Sequence, residues 1–355
     1  MPALVEARHI TQVFGKGKKG QTIALDDLSF SISNEIPSFT SIVGESGSGK
    51  TTLARILLGF LHPTTGDVRY RDIDLSRATG GEQQEFRREV QAIFQDPFEI
   101  YNPFYKVDHL LTVPIRKFRL AHSRAEAREL MERALRTVGL SPEDTLGRYP
   151  HQLSGGQRQR VTVARALLLK PRLIIADEPV SMVDASLRAT ILESLRTLHQ
   201  DFGISFLYIT HDLTTAYQVS DNIIVLYRGS VAETGDVDEV IKEPRHPYTQ
   251  LLVSSIPLPD PDKRWGEEVA MPTRVEAADG TDHGCKFADR CPFVMPMCRD
   301  APPPLYRTDD HRAVACYLYR DAPTTLEGDI TQVFRTPAIA KAGGEEAAAA
   351  QTRAS

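Results

Sequence analysis

Two glycine-rich segments constrain the fold of this chain more than any other feature of its sequence. GESGSGKT, residues 44–51, follows the β-branched run FTSIV and precedes the apolar helix pattern LARILLGF. This order of strand, turn and helix lets consecutive backbone amides curl around phosphate oxygens. The second segment is LSGGQ at residues 153–157, whose Ser154 lies 110 residues after Gly44. It begins another helix, and the start of that helix is a second anion-binding site. The pair predicts an α/β fold in which one nucleotide meets two glycine-rich surfaces.

The first segment supplies most of the candidate nucleotide ligands. Its pattern, GxxxxGK[ST], assigns Lys50 to the β- and γ-phosphates and Thr51 to magnesium. The alternative is a chance glycine-rich turn, but the flanking strand and helix patterns favour the phosphate loop. The candidate ATP-binding residues here are Gly44, Glu45, Ser46, Gly47, Ser48, Gly49, Lys50, Thr51 and Thr52.

Two later buried runs end in groups that suit phosphate chemistry. LIIADE brings Asp177, which we expect to hold magnesium through water, and Glu178, which we expect to polarise the attacking water. A helix-capping acidic pair before Pro179 is the alternative. His211 ends the run ISFLYIT, at the edge of the sheet where ligands bind, and is expected to reach the γ-phosphate. A purely structural histidine is its alternative.

Two further candidates depend on the motifs above. Gln95 lies in VQAIFQDP, on a loop that Pro97 keeps from becoming a helix, and its amide can bind magnesium or orient water. Taken alone, a glutamine before Asp-Pro marks only a turn. Phe14 is expected either to stack on adenine or to be a core aromatic residue.

LSGGQ offers a second set of phosphate ligands. One compact subunit cannot easily wrap both glycine-rich segments around the same γ-phosphate. We therefore expect a head-to-tail pair, in which the LSGGQ of one subunit closes the phosphate loop of the other. The candidate residues are Ser154, Gly155, Gly156 and Gln157.

Changes in sequence pattern divide the chain into three parts. Residues 1–256 alternate β-branched runs with helical patterns, which predicts an α/β unit with a largely parallel sheet and a helical subdomain at about 97–170. Residues 257–320 are a proline-rich extension that contains the cysteines. Residues 321–355 end in AIAKAGGEEAAAAQTRAS and are expected to be disordered.

Charge and hydropathy exclude several classes of protein. The net charge of −5 provides no general attraction to nucleic acid, so nucleic acid is not an expected partner. No apolar run approaches the roughly 20 residues that span a bilayer. The N-terminus lacks the apolar region of a signal peptide. We therefore expect a cytoplasmic protein.

All four cysteines lie within 32 residues, in the pattern C-x5-C-x6-C-x17-C. In a reducing compartment, such a cluster indicates a metal site more often than disulfides. Four thiolates can close a tetrahedral zinc site or hold an iron–sulfur cluster. The absence of tight C-x2-C pairs favours [4Fe-4S], with zinc and unliganded or disulfide-bonded cysteines as alternatives. The candidate ligands are Cys285, Cys291, Cys298 and Cys316.

Together, these motifs resemble the nucleotide-binding subunit of ATP-binding cassette (ABC) transporters over about residues 4–250. The resemblance implies the P-loop ABC ATPase fold with a helical subdomain, followed here by a small cysteine-containing extension. SMVD at residues 181–184 stands where the family commonly has SALD. Asp184 keeps the carboxylate, whereas Met182 and Val183 change the packing. The family roles implied are the adenine-stacking aromatic for Phe14, the glutamine loop for Gln95, the signature for residues 154–157, the Walker B pair for Asp177 and Glu178, and the switch histidine for His211.

A narrower resemblance concerns the ATPases of oligopeptide and dipeptide importers, a group that also includes oligosaccharide and nickel systems. It rests on QDPFEIYNPF, on RHPYTQLL at residues 245–252, and on the downstream cysteines. It implies ATP and Mg²⁺ as ligands, a second ATPase subunit, identical or homologous, and transmembrane permease subunits. An extracytoplasmic substrate-binding protein would act indirectly. The chain would lie at the cytoplasmic face of the membrane as a peripheral protein.

The predicted function is ATP hydrolysis that drives import, most simply of oligopeptides or dipeptides. ATP would close the dimer, closure would move the Gln95 loops against the permease, and hydrolysis assisted by Glu178 would reopen it. The same role in an oligosaccharide or nickel importer is one alternative. A soluble ABC ATPase that acts on nucleic acid or ribosomes is the other.

Overall fold

A computed structural model describes residues 2–15, 20–95, 101–256, 284–325 and 329–335. Strands and helices alternate through most of this part of the chain, as the sequence pattern predicts. The strands are β1 (Ala3–Phe14), β2 (Thr22–Ser33), β3 (Phe39–Val43), β4 (Thr65–Tyr70), β5 (Ile73–Asp74), β6 (Val90–Ile93), β7 (Leu173–Asp177), β8 (Ser205–Thr210), β9 (Asn222–Tyr227), β10 (Ser230–Asp236), β11 (Tyr306–Asp309) and β12 (Arg312–Val314).

The helices cover the sheets and form a separate layer between β6 and β7. Short 3₁₀ turns also occur, including Ala288–Arg290 and Ile330–Val333. The helices are α1 (Lys50–Leu57), α2 (Gly80–Glu89), α3 (Val107–Lys117), α4 (Arg124–Thr137), α5 (Pro142–Thr145), α6 (Gly155–Leu167), α7 (Ala185–Phe202), α8 (Leu213–Val219), α9 (Val237–Lys242), α10 (Pro247–Ser254) and α11 (Met297–Asp300).

The main sheet has the strand order β11-β12-β10-β9-β3-β8-β7-β6. From β9 to β6, each strand is parallel to its neighbours, whereas β10, β12 and β11 add antiparallel pairs at one side. Strands β3, β7, β8 and β9 are buried along their whole length, as expected for parallel strands covered on both faces. The predicted α/β fold with a largely parallel sheet is confirmed.

A second, antiparallel sheet has the order β2-β1-β4-β5 and packs across α1. Leu53 and Leu57 of α1 are fully buried in one apolar cluster with Ile10 of the small sheet and Ile175 of the main sheet. Because α1 is enclosed between the two sheets, the loop at its start has a rigid support.

The layer between β6 and β7 consists of α3, α4, α5 and α6. Helix α4 begins at Ser123, whose Oγ accepts the backbone N–H of Glu126 at 3.1 Å, and ends before Gly139, with φ at 70°. Leu135 in α4 and Val161 in α6 are fully buried in the same apolar cluster. This packing fixes α6, and therefore the LSGGQ segment at its start.

The cysteine-containing extension is joined to the main sheet. Strand β12 pairs with β10, with Thr234 opposite Ala313, so the extension continues the sheet of residues 1–256. No helix in the described ranges is both long enough and apolar enough to cross a bilayer.

The prediction that residues 321–355 are disordered is wrong for the part of this segment that the structure describes. Ile330 and Val333 are buried, and the backbone N–H of Arg335 donates to Asn222 Oδ1 at 2.8 Å. One 3₁₀ turn therefore offers enough apolar surface to dock against the domain. The low-complexity end, residues 336–355, lies outside the described residues.

Candidate nucleotide site

The carboxyl ends of four adjacent parallel strands bring the predicted catalytic residues together. Across β6, β7, β8 and β3, these ends carry Gln95, the pair Asp177 and Glu178, His211, and the phosphate loop. The register places Asp177 beside Ile209, and Val43 beside Thr210, so the strands end at nearly the same level. Residues separated by more than 160 positions thus share one edge.

Residues 44–49 form the turn between β3 and α1, and Lys50, Thr51 and Thr52 begin the helix. A Cβ on Gly44 would collide with the carbonyl oxygen of Leu226, and one on Gly49 with that of Ala24. Gly49 also has φ at 103° and places no side chain over the first turn of α1. The turn therefore needs these two glycines, and it leaves the first helical amides free to bind an anion.

Lys50 lies over this turn and is almost fully buried. Its Nζ donates to the carbonyl oxygens of Gly44 and Glu45 at 2.8 and 2.9 Å. Burial lowers the pKa of the Lys50 ammonium, while the carboxylates of Glu178 and Asp177 oppose that shift. The Lys50 ammonium is therefore held at the phosphate loop by neutral carbonyl oxygens. Phosphate oxygens of a bound nucleotide can replace these acceptors.

Asp177 has the environment of a metal ligand. Burial raises the pKa of its carboxyl group, and the Thr51 hydroxyl donates a hydrogen bond to it. Its Oδ1 is buried and has no hydrogen-bond partner among the residues that the structure describes. A buried acceptor left unpaired is costly, and Mg²⁺ prefers carboxylate and hydroxyl oxygens. Asp177 and Thr51 therefore fit the predicted magnesium site.

Glu178 is held by residues from both neighbouring strands. Its Oε1 lies 2.9 Å from His211 Nδ1, and its Oε2 accepts a hydrogen bond from Gln95 Nε2 at 3.1 Å. With Nδ1 protonated, His211 donates to the carboxylate. The backbone of Glu178 has φ at 45°, a left-handed conformation that costs about 1–3 kcal/mol in a residue other than glycine. Gln95, Glu178 and His211 thus form one hydrogen-bonded group that fixes the orientation of the Glu178 carboxylate.

The LSGGQ segment begins α6 on the helical layer. Ser154 is exposed, and its Oγ accepts the backbone N–H of Gln157 at 3.2 Å, while Gln157 Oε1 accepts the N–H of Ser154 at 2.9 Å. Gly156 is buried, and a Cβ there would lie 3.0 Å from Leu187 Cδ1 of α7. The hydroxyl hydrogen of Ser154 is not needed for this capping box and is available to a ligand from outside the subunit.

Phe14 is at the end of β1, where its side chain is 43% exposed. That exposure leaves surface for an adenine ring and does not suit the alternative of a core aromatic residue. Its role in adenine stacking stays a prediction.

The four cysteines line one small pocket beside Phe287. All four are free thiols, and burial raises the pKa of the Cys316 thiol to about 11. Over the described ranges, no group of three or more His, Cys, Asp or Glu residues could hold a metal ion. The structure therefore brings the predicted ligands together without forming a single-ion site.

Two residues that sequence reasoning missed contact the phosphate loop. Tyr248 and Arg290 both bind Glu45. Tyr248 lies within RHPYTQLL, a segment that served only as part of the resemblance to oligopeptide and dipeptide importer ATPases. No sequence signal singled out Arg290.

Comparison with known proteins agrees with this geometry. A family model described as "ABC transporter" matches residues 25–181, and one described as "Oligopeptide/dipeptide transporter, C-terminal region" matches residues 232–298. The oligopeptide transport ATP-binding protein OppF of Salmonella typhimurium is 39% identical over 276 residues, which cover 78% of this chain and 82% of OppF. The di/tripeptide transport ATP-binding protein DppF of Pseudomonas aeruginosa is 37% identical over 324 residues, which cover 89% and 98%.

Solved structures give the same assignment. The ATP-binding cassette MJ0796, in a dimeric post-hydrolysis state bound to ADP and Pi, matches with a TM-score of 0.58 and 31% sequence identity, over 66% of this chain and 98% of that one. The fold and site thus define an ABC ATPase. This chain belongs to the ATP-binding subunits of ABC transporters, in the group that carries the oligopeptide/dipeptide C-terminal region.

Proposed function

We propose that this ABC ATPase drives the import of oligopeptides or dipeptides as a peripheral subunit at the cytoplasmic face of the membrane. The catalytic part of this proposal rests on the position of the Glu178 carboxylate. It lies between His211 and Gln95 at the edge of the sheet that bears the phosphate loop. The peptide assignment is supported by the match of residues 232–298 and by the names of OppF and DppF.

In the proposed mechanism, Glu178 polarises the attacking water, and His211 keeps the carboxylate and the water aligned. Lys50 and the free amides of α1 bind the β- and γ-phosphates, and Phe14 stacks on adenine. Asp177 and Thr51 would hold Mg²⁺, with Gln95 as a further ligand; the ion neutralises charge on the phosphates when bound. The hydrogen bond from Gln95 to Glu178 links that amide directly to the base.

We further propose that the complete site forms between two subunits in head-to-tail orientation. Ser154 and the amides of Gly155, Gly156 and Gln157 would meet the γ-phosphate bound to the partner. Two observations support this arrangement: Ser154 is exposed on the helical layer, and its hydroxyl donates no hydrogen bond to any residue that the structure describes. The second subunit is a copy of this chain or a homologous ATPase.

A groove between the helical layer and the main sheet is the proposed contact with the permease. It has a volume of about 560 Å³ and is lined by Phe60, Phe94, Tyr105 and Val113. The exposed aromatic rings of Phe60 and Tyr105 suit a partner segment with apolar side chains. Gln95 directly follows Phe94, so movement of the permease and the position of the glutamine amide would be coupled. An extracytoplasmic binding protein would act through the permease.

For the cysteines we propose a [4Fe-4S] cluster. Four cysteine thiolates can hold a [4Fe-4S] cluster, each on a separate iron. The spacing C-x5-C-x6-C-x17-C also lacks the tight C-x2-C pairs that are usual in structural zinc sites. The common pocket of Cys285, Cys291, Cys298 and Cys316 supports this alternative.

Anaerobic purification tests the cluster. We expect about four irons and four sulfides per chain, visible absorption that dithionite bleaches, and loss of both in Cys316→Ser. Zinc at about one ion per chain, or protein without bound metal, would contradict the proposal.

Uptake by intact cells tests the cargo. In a strain that lacks the chain, we expect the wild-type gene to restore uptake of a labelled tripeptide, and the Glu178→Gln gene at equal expression not to restore it. Unlabelled dipeptides should compete, whereas an oligosaccharide or nickel should not. Restored uptake of oligosaccharide or nickel without peptide uptake would favour those systems, and salt-sensitive RNA binding without any uptake would favour a soluble ATPase.

A further inference from the structure

Glu45, in the phosphate loop, has a bonding partner for its backbone N–H, its carbonyl oxygen and its carboxylate. Its backbone N–H donates to Tyr248 Oη at 2.8 Å. Its carbonyl oxygen accepts from Lys50 Nζ at 2.9 Å and from the N–H of Ser48 at 3.1 Å. Its carboxylate is bound by Arg290. Every polar group of one loop residue is therefore paired.

The contact between Arg290 and Glu45 is bidentate. Arg290 Nη1 donates to Oε2, and Nη2 to Oε1, each at 3.1 Å. This planar, two-point geometry is stronger and more specific than a single ion pair. The two side chains are 35% and 41% exposed, so solvent weakens their attraction without removing it.

The cysteine segment fixes the position of Arg290. Phe287, which precedes the 3₁₀ turn Ala288–Arg290, is buried against the rings of Tyr227 and Tyr248 at centroid distances of 5.3 and 5.6 Å. The Arg290 guanidinium lies over Tyr227 and Phe287 at 5.9 and 5.6 Å. A guanidinium stacked on two rings loses little further freedom when it binds a carboxylate.

The contact between Arg290 and Glu45 compensates a negative charge in the phosphate loop. A free carboxylate in the phosphate loop would repel a triphosphate and would compete with it for Lys50. The field of Glu45 already acts on the Lys50 ammonium. Arg290 compensates the charge of Glu45 and points its carboxylate toward the cysteine segment.

We propose that Arg290 is a positioning residue of the ATP site, supplied by the cysteine segment, which neutralises Glu45 and holds the phosphate loop ready for the triphosphate. This inference deepens the ATPase function and rests on it. It requires no metal at the cysteines, because the contact uses only side chains that the structure describes.

The test measures ATP hydrolysis against ATP concentration, together with the Kd of a fluorescent ATP analogue, on the full chain. Arg290→Ala should raise the KM and the Kd by about three- to tenfold and leave kcat within about twofold. Arg290→Lys should lie between it and the wild type. In the double variant with Glu45→Gln and Arg290→Ala, both constants should return to within about twofold of Glu45→Gln alone, because no uncompensated charge remains.

Arg299→Ala is the matched control, since Arg299 lies on the same segment but pairs with Asp289 at 3.0 Å. It should behave as wild type. An unchanged KM in Arg290→Ala would overturn the proposal, as would a double variant as impaired as the single one. Failure of the wild type to hydrolyse ATP would instead count against the ATPase function, and the nucleotide Kd would still test Arg290.

Discussion

His211 contacts the Glu178 carboxylate from the neighbouring strand, and we propose that it acts through this carboxylate. The pair is only partly shielded: the His211 side chain is 61% exposed and that of Glu178 18%. A partner that closes over His211 would exclude water from the pair and strengthen the hydrogen bond. We therefore expect the contribution of His211 to appear in turnover more than in nucleotide binding.

His211→Ala should lower kcat by about 100-fold or more and change the Kd for ATP by less than about threefold, because it removes alignment of the base and at most one γ-phosphate contact, while Lys50 and the α1 amides still bind the phosphates. Steady-state hydrolysis and equilibrium binding measure the two effects. His122→Ala, at an exposed site on the helical layer, is the control. Equal losses in binding and turnover would argue against this role.

Phe14 offers a second test at the scale of a single side chain. Loss of one base-stacking contact costs about 1–3 kcal/mol, so Phe14→Ala should raise the KM for ATP by about fivefold or more, whereas Phe14→Trp should preserve it. ATP-dependence of hydrolysis is the measurement. Phe202→Ala, another exposed phenylalanine, serves as control. If Phe14→Ala matched that control, adenine stacking would be excluded.

At the scale of elements, β10 and α10 meet through a buried acid and a buried histidine. Glu233 accepts the backbone N–H of His246 at 2.9 Å, and His246 Nδ1 caps α10 by accepting the N–H of Tyr248 at 3.0 Å. Burial raises the pKa of Glu233 from 4.5 to about 7. Burial lowers the pKa of His246 from 6.5 to about 4.

These two pKa shifts make the stability of the fold depend on pH in opposite directions. Between their unfolded and folded pKa values, Glu233 keeps in the folded state a proton that the unfolded state has lost, so its contribution to stability falls as the pH rises from 4.5 to about 7. His246 lacks in the folded state a proton that the unfolded state has gained, so its contribution falls as the pH drops from 6.5 to about 4.

When the pH rises from about 5 to about 6.5, the free energy of unfolding of Glu233→Gln should therefore increase relative to that of the wild type. That of His246→Asn should decrease relative to the wild type, and each change should be roughly 2 kcal/mol. Asparagine keeps an acceptor for the helix cap. Urea unfolding at the two pH values measures the change. Parallel pH profiles for all three proteins would show that the two groups do not titrate as described.

Helix α6 carries the LSGGQ residues that we propose to serve the ATP site of another subunit. Ser154→Arg should abolish hydrolysis by the assembled pair but leave ATP binding to the isolated chain within about twofold, because a large cation at the helix start blocks the approach of the partner's phosphate. Binding to the isolated chain and hydrolysis by the assembled transporter separate the two effects. Loss of ATP binding in the isolated chain would place Ser154 in its own subunit's site.

For the whole molecule, the sequence predicted the strand-end site better than the contacts between distant segments. Asp177, Glu178 and His211 each follow a buried β-branched run, and parallel strands necessarily end at a common edge. Gln95 was also located, but its bond to Glu178 depends on the order of β6 and β7 in the sheet, which no local pattern specifies.

The contact between Glu45 and Arg290 could not be predicted, because 245 residues separate its partners and its formation depends on how Phe287 packs. The tail was predicted wrongly for a related reason. Its composition is alanine-rich only beyond about residue 338, whereas Ile330 and Val333 just before that point are apolar enough to dock. The prediction rested on the low-complexity end and extended its disorder back to residue 321, over these apolar residues.

We propose that Glu178 is the base of an ATP-hydrolysing site, and hydrolysis by the purified full chain with and without that carboxylate is the sharpest test of this role. Glu178→Gln should bind ATP with a Kd within about threefold of wild type and lose at least about 100-fold in kcat. Glu35→Gln, an exposed glutamate before β3, should hydrolyse ATP normally. Hydrolysis by Glu178→Gln at the wild-type rate would show that Glu178 is not the base.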